Sequence, residues 1–189
     1  MAEPNADMQS IGPAVLGADG KPVYANAAGV TATTHGKSAF DTWYRDVPAA
    51  NVRVEVPLQL STGAGGASSY ANAAFFPIDD GTPYATAFGD QGDAHNYSFT
   101  VEIHTVFTYR GGESFDFRGD DDVFVFVDDK LVIDLGGIHG PETAHVAIDD
   151  LHLETGKDYP LDFFSAERHK TGSDVLFTTT LGLRPAAIK

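Results

Sequence analysis

The chain has 189 residues, 42% hydrophobic and 11% aromatic, which suffices for one folded domain with a substantial core and is short for two. Its formal net charge of −15 opposes the phosphate contacts that dominate nucleic-acid affinity, so nucleic acid and anionic membranes are excluded as expected partners. The absence of cysteine excludes disulfides and thiolate-bound zinc, and no apolar run approaches the ~18 residues of a membrane span.

The first third of the chain carries weak structural patterns. Residues 1–38 are rich in Ala, Gly, Pro, Asn and Thr, and we interpret them as an N-terminal arm or linker lying on the domain. Their first five residues lack the basic and apolar regions of a signal peptide, so export would require the chain to be part of a larger protein. Residues 40–46, which include the only Trp, predict a short helix or turn whose aromatic side chains fill the core.

The next stretch alternates between strand-like and loop-like sequence. Residues 52–60 alternate apolar with polar side chains and predict a strand with one solvated face. Small polar residues predict a loop over 61–72, and Pro77 limits 74–78 to an edge strand because proline donates no hydrogen bond. Residues 79–94 are rich in turn-forming residues and predict a long loop.

The second half carries clear strand patterns. Residues 97–109 place Tyr97, Phe107 and the alternate positions between them on one face, which predicts a long strand. The pair Asp128-Asp129 predicts a tight hairpin turn, because Asp tolerates the left-handed conformation. Further strands are predicted at 114–117, 123–127, 130–135, 144–148, 159–164 and 174–181. Short strands at this spacing predict an all-β antiparallel sandwich or barrel.

Three adjacent acids, Asp120, Asp121 and Asp122, directly precede the apolar strand 123–127, whose composition indicates burial on both faces. Two unit charges about 4 Å apart repel by roughly 1 kcal/mol even in water, and by more where solvent is excluded. A fixed cluster of this kind therefore predicts a positive partner, for which a hard cation is the first candidate.

Several motifs are similar to those of the fibro-slime domain, a branch of the protective-antigen-type (PA-fourteen) β-sandwich superfamily. They are Phe40-Asp41-Thr42-Trp43-Tyr44-Arg45-Asp46, His95-Asn96-Tyr97-Ser98-Phe99-Thr100, Gly119-Asp120-Asp121-Asp122-Val123, the run at 130–140, and Ala166-Glu167-Arg168-His169. The resemblance implies a jelly-roll-like antiparallel β-sandwich with long loops over 39–184, followed by a tail at 185–189.

The wider superfamily includes adhesins that resemble calcium-dependent lectins, in which two successive Asp residues joined by a cis peptide hold the ion. The turn at 127–130 corresponds to the one that follows this pair, which places the pair at Asp120 and Asp121. Asp122 stands where many members carry Gly, so the pairing 121–122 stays open.

The same resemblance implies further ligands from a second loop, 165–173. Glu167 is the expected side-chain ligand and the carbonyl of His169 the expected backbone ligand, with Ser173 and Asp174 as reserves. Calcium takes 6–8 oxygen ligands at about 2.3–2.6 Å, so carboxylates and carbonyls suit it.

The implied function is a calcium-dependent carbohydrate-binding adhesion module of a secreted or cell-surface protein. Vacant positions on the ion would accept two vicinal hydroxyls of a cell-surface glycan. Arg168, His169, His139 and the 79–94 loop would select the sugar. Such sites bind weakly one at a time and gain from multivalency.

Four alternatives stay open. The acidic cluster can be a solvated turn, or it can hold calcium only to stiffen a spacer domain. His139 and His169 can bind zinc with Glu167, since imidazole and carboxylate are zinc ligands. Asp121 with Asp120 or Glu167 can serve as the paired carboxylates of a glycosidase. Adjacent acids suit a shared ion better than a glycosidic bond, and no nucleophile motif occurs, so we predict no enzyme activity.

Overall fold

The computed structural model describes residues 14–25, 29, 34–79, 93–170 and 172–186. Within these residues the strands are β1 Ser61–Thr62, β2 Ser68–Asn72, β3 Phe99–Thr108, β4 Ser114–Gly119, β5 Asp122–Val127, β6 Lys130–Leu135, β7 Glu142–Ala147, β8 Asp158–Glu167, β9 Val175–Thr179 and β10 Arg184–Pro185. Short helices are α1 Lys37–Phe40 and two 3₁₀ turns, Ala64–Gly66 and Ile148–Leu151.

The strands form two five-stranded sheets that pack as a sandwich. The first has the order β1-β2-β9-β4-β7 and the second the order β10-β3-β8-β5-β6, and neighbours in both are antiparallel. The predicted all-β antiparallel sandwich is therefore confirmed. The predicted long loop at 79–94 is described only at residues 79, 93 and 94, and positions 80–92 lie outside the described residues.

The core lies between the two sheets and is largely aromatic. Phe117 on β4 packs against Phe163 on β8 with ring centroids 5.5 Å apart, and Phe115 stacks on Phe177 at 5.8 Å. The strand predicted at 97–109 is confirmed over Phe99–Thr108, and its Phe107 is buried in this core. Burying one such side chain stabilises the fold by roughly 1.5–3 kcal/mol.

Strand β5 is buried on both faces, as its composition predicts. Val123, Val125 and Val127 face the core between the sheets. Phe124 and Phe126 face the opposite side, where the N-terminal part of the chain covers them. A second cluster forms there from Phe40, Tyr44, Phe124, Phe126 and Phe164, with Leu16, Tyr24, Trp43 and Leu131 packed against it.

Residues 14–25 attach to the second sheet through its edge and its outer face. The Leu131 N–H donates to the Ala14 carbonyl (2.9 Å) and the Leu16 N–H donates to the Asp129 carbonyl (3.0 Å), next to a bridge between Val15 and Lys130. These bonds satisfy part of the exposed edge of β6. The domain boundaries predicted at 38 and 184 stay predictions, and residues 1–13, 26–28, 30–33 and 187–189 lie outside the described part.

Three local predictions before β3 are wrong. Residues 52–60 form no strand, and Val52 and Val56 are exposed, because no neighbouring strand pairs with this segment. The loop predicted at 61–72 contains β1 and β2 instead, since β2 pairs with β9 and Tyr70 stacks on Phe177. Residues 74–78 are not an edge strand, although the Phe75 N–H donates to the Ser173 carbonyl at 2.9 Å.

Strands β4 to β9 follow the predictions with shifted ends, whereas β10, in which Arg184 and Pro185 pair with Val106 and Thr105, was not predicted. The turn at Asp128 and Asp129 is confirmed, and both residues are left-handed with φ of 52° and 61°. β8 runs three residues past the predicted end, to Glu167, because its last residues pair with Phe99 and Asp122 of the flanking strands. The extension places Glu167 at a strand end and not in a loop.

A charged network lies between the second sheet and the N-terminal segment. His104 on β3 is buried, with Nδ1 2.5 Å from Asp162 Oδ1 and Nε2 against Glu102. Glu102 also pairs with Lys21. Burial lowers the pKa of His104, but hydrogen bonds and the charges of Asp162 and Glu102 outweigh burial and raise this pKa to about 9.

We expect stability to fall as pH rises through this range. The folded pKa of His104, about 9, exceeds its ordinary value of 6.5, so its contribution is complete below 6.5 and lost by about 9. The loss should be about 1–2 kcal/mol, below the full value for the shift, because the Glu102 side chain is 19% exposed and solvent screens its charge. Urea unfolding at pH 6.5 and pH 9.5 measures it, and a His104→Gln variant with the same pH dependence as wild type would contradict the assignment.

Candidate functional site

The topology brings the acidic cluster and the second predicted loop to one end of the sandwich. Asp120 and Asp121 connect the end of β4 to the start of β5, and Glu167 is the last residue of β8. β5 and β8 are neighbours, with Asp122 opposite Ala166. Pairing of these two strands therefore sets Asp121 beside Glu167.

Asp121 and Glu167 form a buried carboxyl pair. Their exposed fractions are 3% and 6%, and the two side chains are hydrogen-bonded to each other. Burial and the charge of Asp121 raise the pKa of Glu167 to about 8, and burial also raises the pKa of Asp121. The pair accordingly holds a proton near neutral pH, in a position where a cation could replace it.

Asp120 faces the segment that precedes β9. The Asp174 N–H donates to Asp120 Oδ1 at 2.6 Å, and the Asp120 N–H lies 3.4 Å from the Asp174 carbonyl. Burial raises the pKa of Asp120, with the nearby charge of Asp174 acting in the same direction. Ser173, expected as a reserve ligand, hydrogen-bonds to Glu167 through its side chain. The strand-connecting turn and the second loop are thus joined by direct contacts.

Asp122 and Trp43 both contact the side chain of Arg168, next to the carboxyl pair. Asp122 is fully buried, accepts a hydrogen bond from the Gly137 N–H (2.7 Å), and pairs with Arg168 Nε at 2.5 Å. The Arg168 guanidinium also lies 4.9 Å from the centre of the Trp43 ring, and its backbone N–H donates to Asp121 Oδ2 at 2.8 Å. Arg168 therefore fixes the second loop against Asp121 and Asp122.

The two histidines predicted at the site differ in role. His139 directs both ring nitrogens at backbone carbonyls, Nδ1 2.8 Å from Gly140 and Nε2 3.0 Å from Leu135. Because both ring nitrogens are directed at carbonyl oxygens, neither is available to coordinate a metal ion, which disfavours the zinc alternative. The His169 backbone N–H donates to Glu167 Oε1 at 3.1 Å, so this residue contacts the carboxyl pair through its main chain.

The implied cis linkage is wrong for both possible pairs. Every peptide bond in the described residues is trans, and the chain turns instead through Asp121, whose φ is 53°. In the same residues no three His, Asp or Glu side chains are grouped as a metal cluster, because Asp120 is directed at the Asp174 amide. The oxygens of the two buried carboxyls, Asp121 and Glu167, are nevertheless of the kind that a hard cation prefers.

Trp43 and Asp122 support the site, and neither role is predicted from the sequence. Their roles depend on Arg168, which was expected to face the ligand. The available indication was the position of Asp122 at the first residue of a doubly buried strand, where a charge requires a partner.

A family model described as PA14 domain matches residues 75–188. This chain belongs to the PA14 domain family. The match begins before β3 and includes β3 to β10, and hence both halves of the site. No helix in the part of the domain that the structure describes is long and apolar enough to cross a membrane.

Similar proteins occur in Dictyostelium discoideum. Protein psiQ is 39% identical over 178 residues, which cover 89% of this chain and 18% of psiQ. Protein psiD is 41% identical over 182 residues, covering 91% of this chain and 36% of psiD. Protein psiC is 39% identical over 190 residues, covering 95% of this chain and 37% of psiC. The chain thus spans well under half the length of these relatives.

Among solved structures, a β-glucosidase from Kluyveromyces marxianus aligns with 64% of this chain and 17% of its own. Its TM-score is 0.33 and its identity 16%, a likeness too weak to bear on fold or activity.

Proposed function

We propose that this PA14 domain is a calcium-dependent glycan-binding module of the fibro-slime type. The observation that carries the proposal is the buried Asp121–Glu167 carboxyl pair, where the turn between β4 and β5 meets the end of β8. Asp120 is the neighbour of Asp121 in the chain. Two carboxylates that compete for one proton are stabilised when a divalent cation takes its place. Of the two pairings left open by the sequence, Asp120 with Asp121 is the one we propose, because Asp122 is bound to Arg168.

Asp120, Asp121 and Glu167 would hold the ion through carboxylate oxygens, with the His169 carbonyl from the second loop. When bound, calcium supplies coordination positions that two neighbouring sugar hydroxyls can fill. Arg168 orients the second loop through its contacts with Asp122 and Trp43. His139 and the side chain of His169 stay candidates for contacts with the sugar.

Carbohydrate-binding and adhesion proteins are known contexts of the PA14 domain, and we propose secretion or display at a cell surface as part of a longer protein. The matched region is 18% of psiQ, 36% of psiD and 37% of psiC. A weak site would gain avidity if several copies meet a glycan-coated surface.

Catalysis is not part of the proposal. Glycosidases keep their two carboxyl groups about 5–5.5 Å apart when they retain configuration and about 6.5–9.5 Å apart when they invert it. Asp121 and Glu167 are in direct hydrogen-bond contact, which leaves no room for a glycosidic bond between them.

A calcium-stiffened spacer without sugar binding is the second candidate. The burial of Asp121 and Glu167, exposed by only 3% and 6%, favours it, because an ion held there would have limited access to a ligand.

A glycan array probed with and without calcium separates the two functions. We expect wild-type protein to bind a restricted set of glycans in calcium and to lose them in chelator. Asp120→Asn combined with Asp121→Asn should lose both ion and glycan, whereas Asp116→Asn, on the outer face of the first sheet, should lose neither. A silent array with calcium bound supports the spacer, and glycan binding retained by the double variant contradicts the site.

A further inference from the structure

Three aromatic side chains near the candidate site form a shelf, defined here as Phe76, His95 and Tyr97. The rings of Phe76 and His95 are parallel within 3° and 3.9 Å apart. Tyr97 is nearly perpendicular to both, with its centroid 5.1 Å from Phe76 and 6.0 Å from His95. If Tyr97 lay on top of the stack, against Phe76, its centroid would be about 9 Å from that of His95. The observed distance is 6.0 Å, so Tyr97 lies beside the stack.

This geometry leaves one face of the His95 ring uncovered by the other two aromatics. Phe76 occupies the opposite face, and the His95 side chain is 40% exposed. Asp79 fixes the ring plane, with Oδ2 2.6 Å from His95 Nδ1, while its Oδ1 accepts the Asn96 N–H at 2.9 Å. The shelf is therefore a preorganised flat ring with a carboxylate at its edge.

The shelf is at the same end of the sandwich as the acidic site. Phe75, next to Phe76 in the chain, donates its N–H to the Ser173 carbonyl at 2.9 Å, and Ser173 in turn contacts Glu167. Lys170 of the second loop pairs with Asp93, two residues before His95. The loop that contributes to the acidic site is thus tied on two sides to the segments that carry the shelf.

We propose that the shelf is a second subsite that stacks against the apolar face of a pyranose ring, next to the sugar bound at Asp120, Asp121 and Glu167. This inference rests on the proposed glycan-binding function. A flat aromatic face attracts the C–H face of a sugar, and a carboxylate at its edge can accept a hydroxyl hydrogen bond. The net charge of −15 disfavours an anionic sugar, so the expected occupant is a neutral hexose of an oligosaccharide.

The test compares His95→Ala with His145→Ala. His145 is a matched control: its Nδ1 also lies 2.6 Å from a carboxylate, that of Asp116, but on the outer face of the first sheet. Titration calorimetry would use a neutral oligosaccharide that the array identifies, its terminal monosaccharide, and calcium alone. We expect His95→Ala to weaken the oligosaccharide roughly three- to tenfold while monosaccharide and calcium affinities stay unchanged, and His145→Ala to change none of them.

His95→Phe keeps a flat ring and should retain most of the oligosaccharide affinity. This variant keeps the proposal testable if His95→Ala fails to fold. A wild-type oligosaccharide affinity in His95→Ala overturns the shelf and leaves the calcium site intact. Wild-type protein that binds calcium but no glycan overturns the proposed function, and the shelf with it. In wild-type protein, displacement of the His95 ring resonances by the oligosaccharide but not by the monosaccharide provides a second, variant-free measurement.

Discussion

Wild-type protein in millimolar calcium should unfold about 5–10 °C above its unfolding temperature in chelator, and the Asp121→Asn, Glu167→Gln double variant should lose this difference. An ion at a hundred times its dissociation constant stabilises the fold by about 2.7 kcal/mol. For a domain of this size each kcal/mol raises the unfolding temperature by roughly 2–4 °C. Both substitutions keep the volume of the side chains and remove the two carboxyl groups that would bind the ion.

Without calcium, the effect of removing a carboxyl group on stability should be reversed, and this provides a control. In chelator at pH 8.5, Glu167→Gln should be at least as stable as wild type, because the amide can donate to Asp121 where two carboxylates would repel. Asp116→Asn, which alters an exposed carboxylate on the other sheet, should keep the full calcium shift. Scanning calorimetry of the four proteins with calcium and with chelator gives all the comparisons. A double variant that still gains 5 °C from calcium would place the ion elsewhere.

The period-2 pattern predicted the sandwich because both sheets use strands whose alternate residues face one core. β3, β4, β5 and β6 follow their patterns closely, since each pairs over most or all of its length with a neighbouring strand. Residues 52–60 show the limit of such patterns. Their alternation is as regular as that of β3, yet Val52 and Val56 are exposed. A strand requires a neighbour, and whether the chain returns to supply one is not a local property.

The sequence predicts which acidic residues belong to the site, but it does not predict how they are arranged. Asp121 and Glu167 meet because β5 pairs with β8, and the predicted order of strands does not specify that pairing. Arg168 was expected to face a ligand, but a fully buried carboxylate at Asp122 and an aromatic ring from the N-terminal segment hold its guanidinium. Long-range contacts of this kind, between residues 43, 122 and 168, leave no periodic trace in sequence.

The Arg168–Asp122 pair ties three separate segments together. Asp122 begins β5, Arg168 follows β8, and Trp43 follows α1. Asp122 has no exposed surface, so its charge depends on Arg168 and on the Gly137 N–H. The pair is therefore the contact through which the N-terminal segment, the buried strand and the second loop of the candidate site act on one another.

Arg168→Met should destabilise the domain by about 3–5 kcal/mol, because it leaves the Asp122 carboxylate buried without its cation while preserving most of the aliphatic contact. Adding Asp122→Asn should recover more than half of this loss, since a neutral amide needs no counter-charge. Arg184→Met is the control: Arg184 pairs with Asp158, and the two side chains are 54% and 55% exposed, so the cost should stay below about 1 kcal/mol. Urea unfolding of the single and double variants measures the coupling between positions 122 and 168. Additive losses, with no recovery in the double variant, would mean that Arg168 acts through its stacking on Trp43, and that the ion pair adds little to what holds the second loop in place.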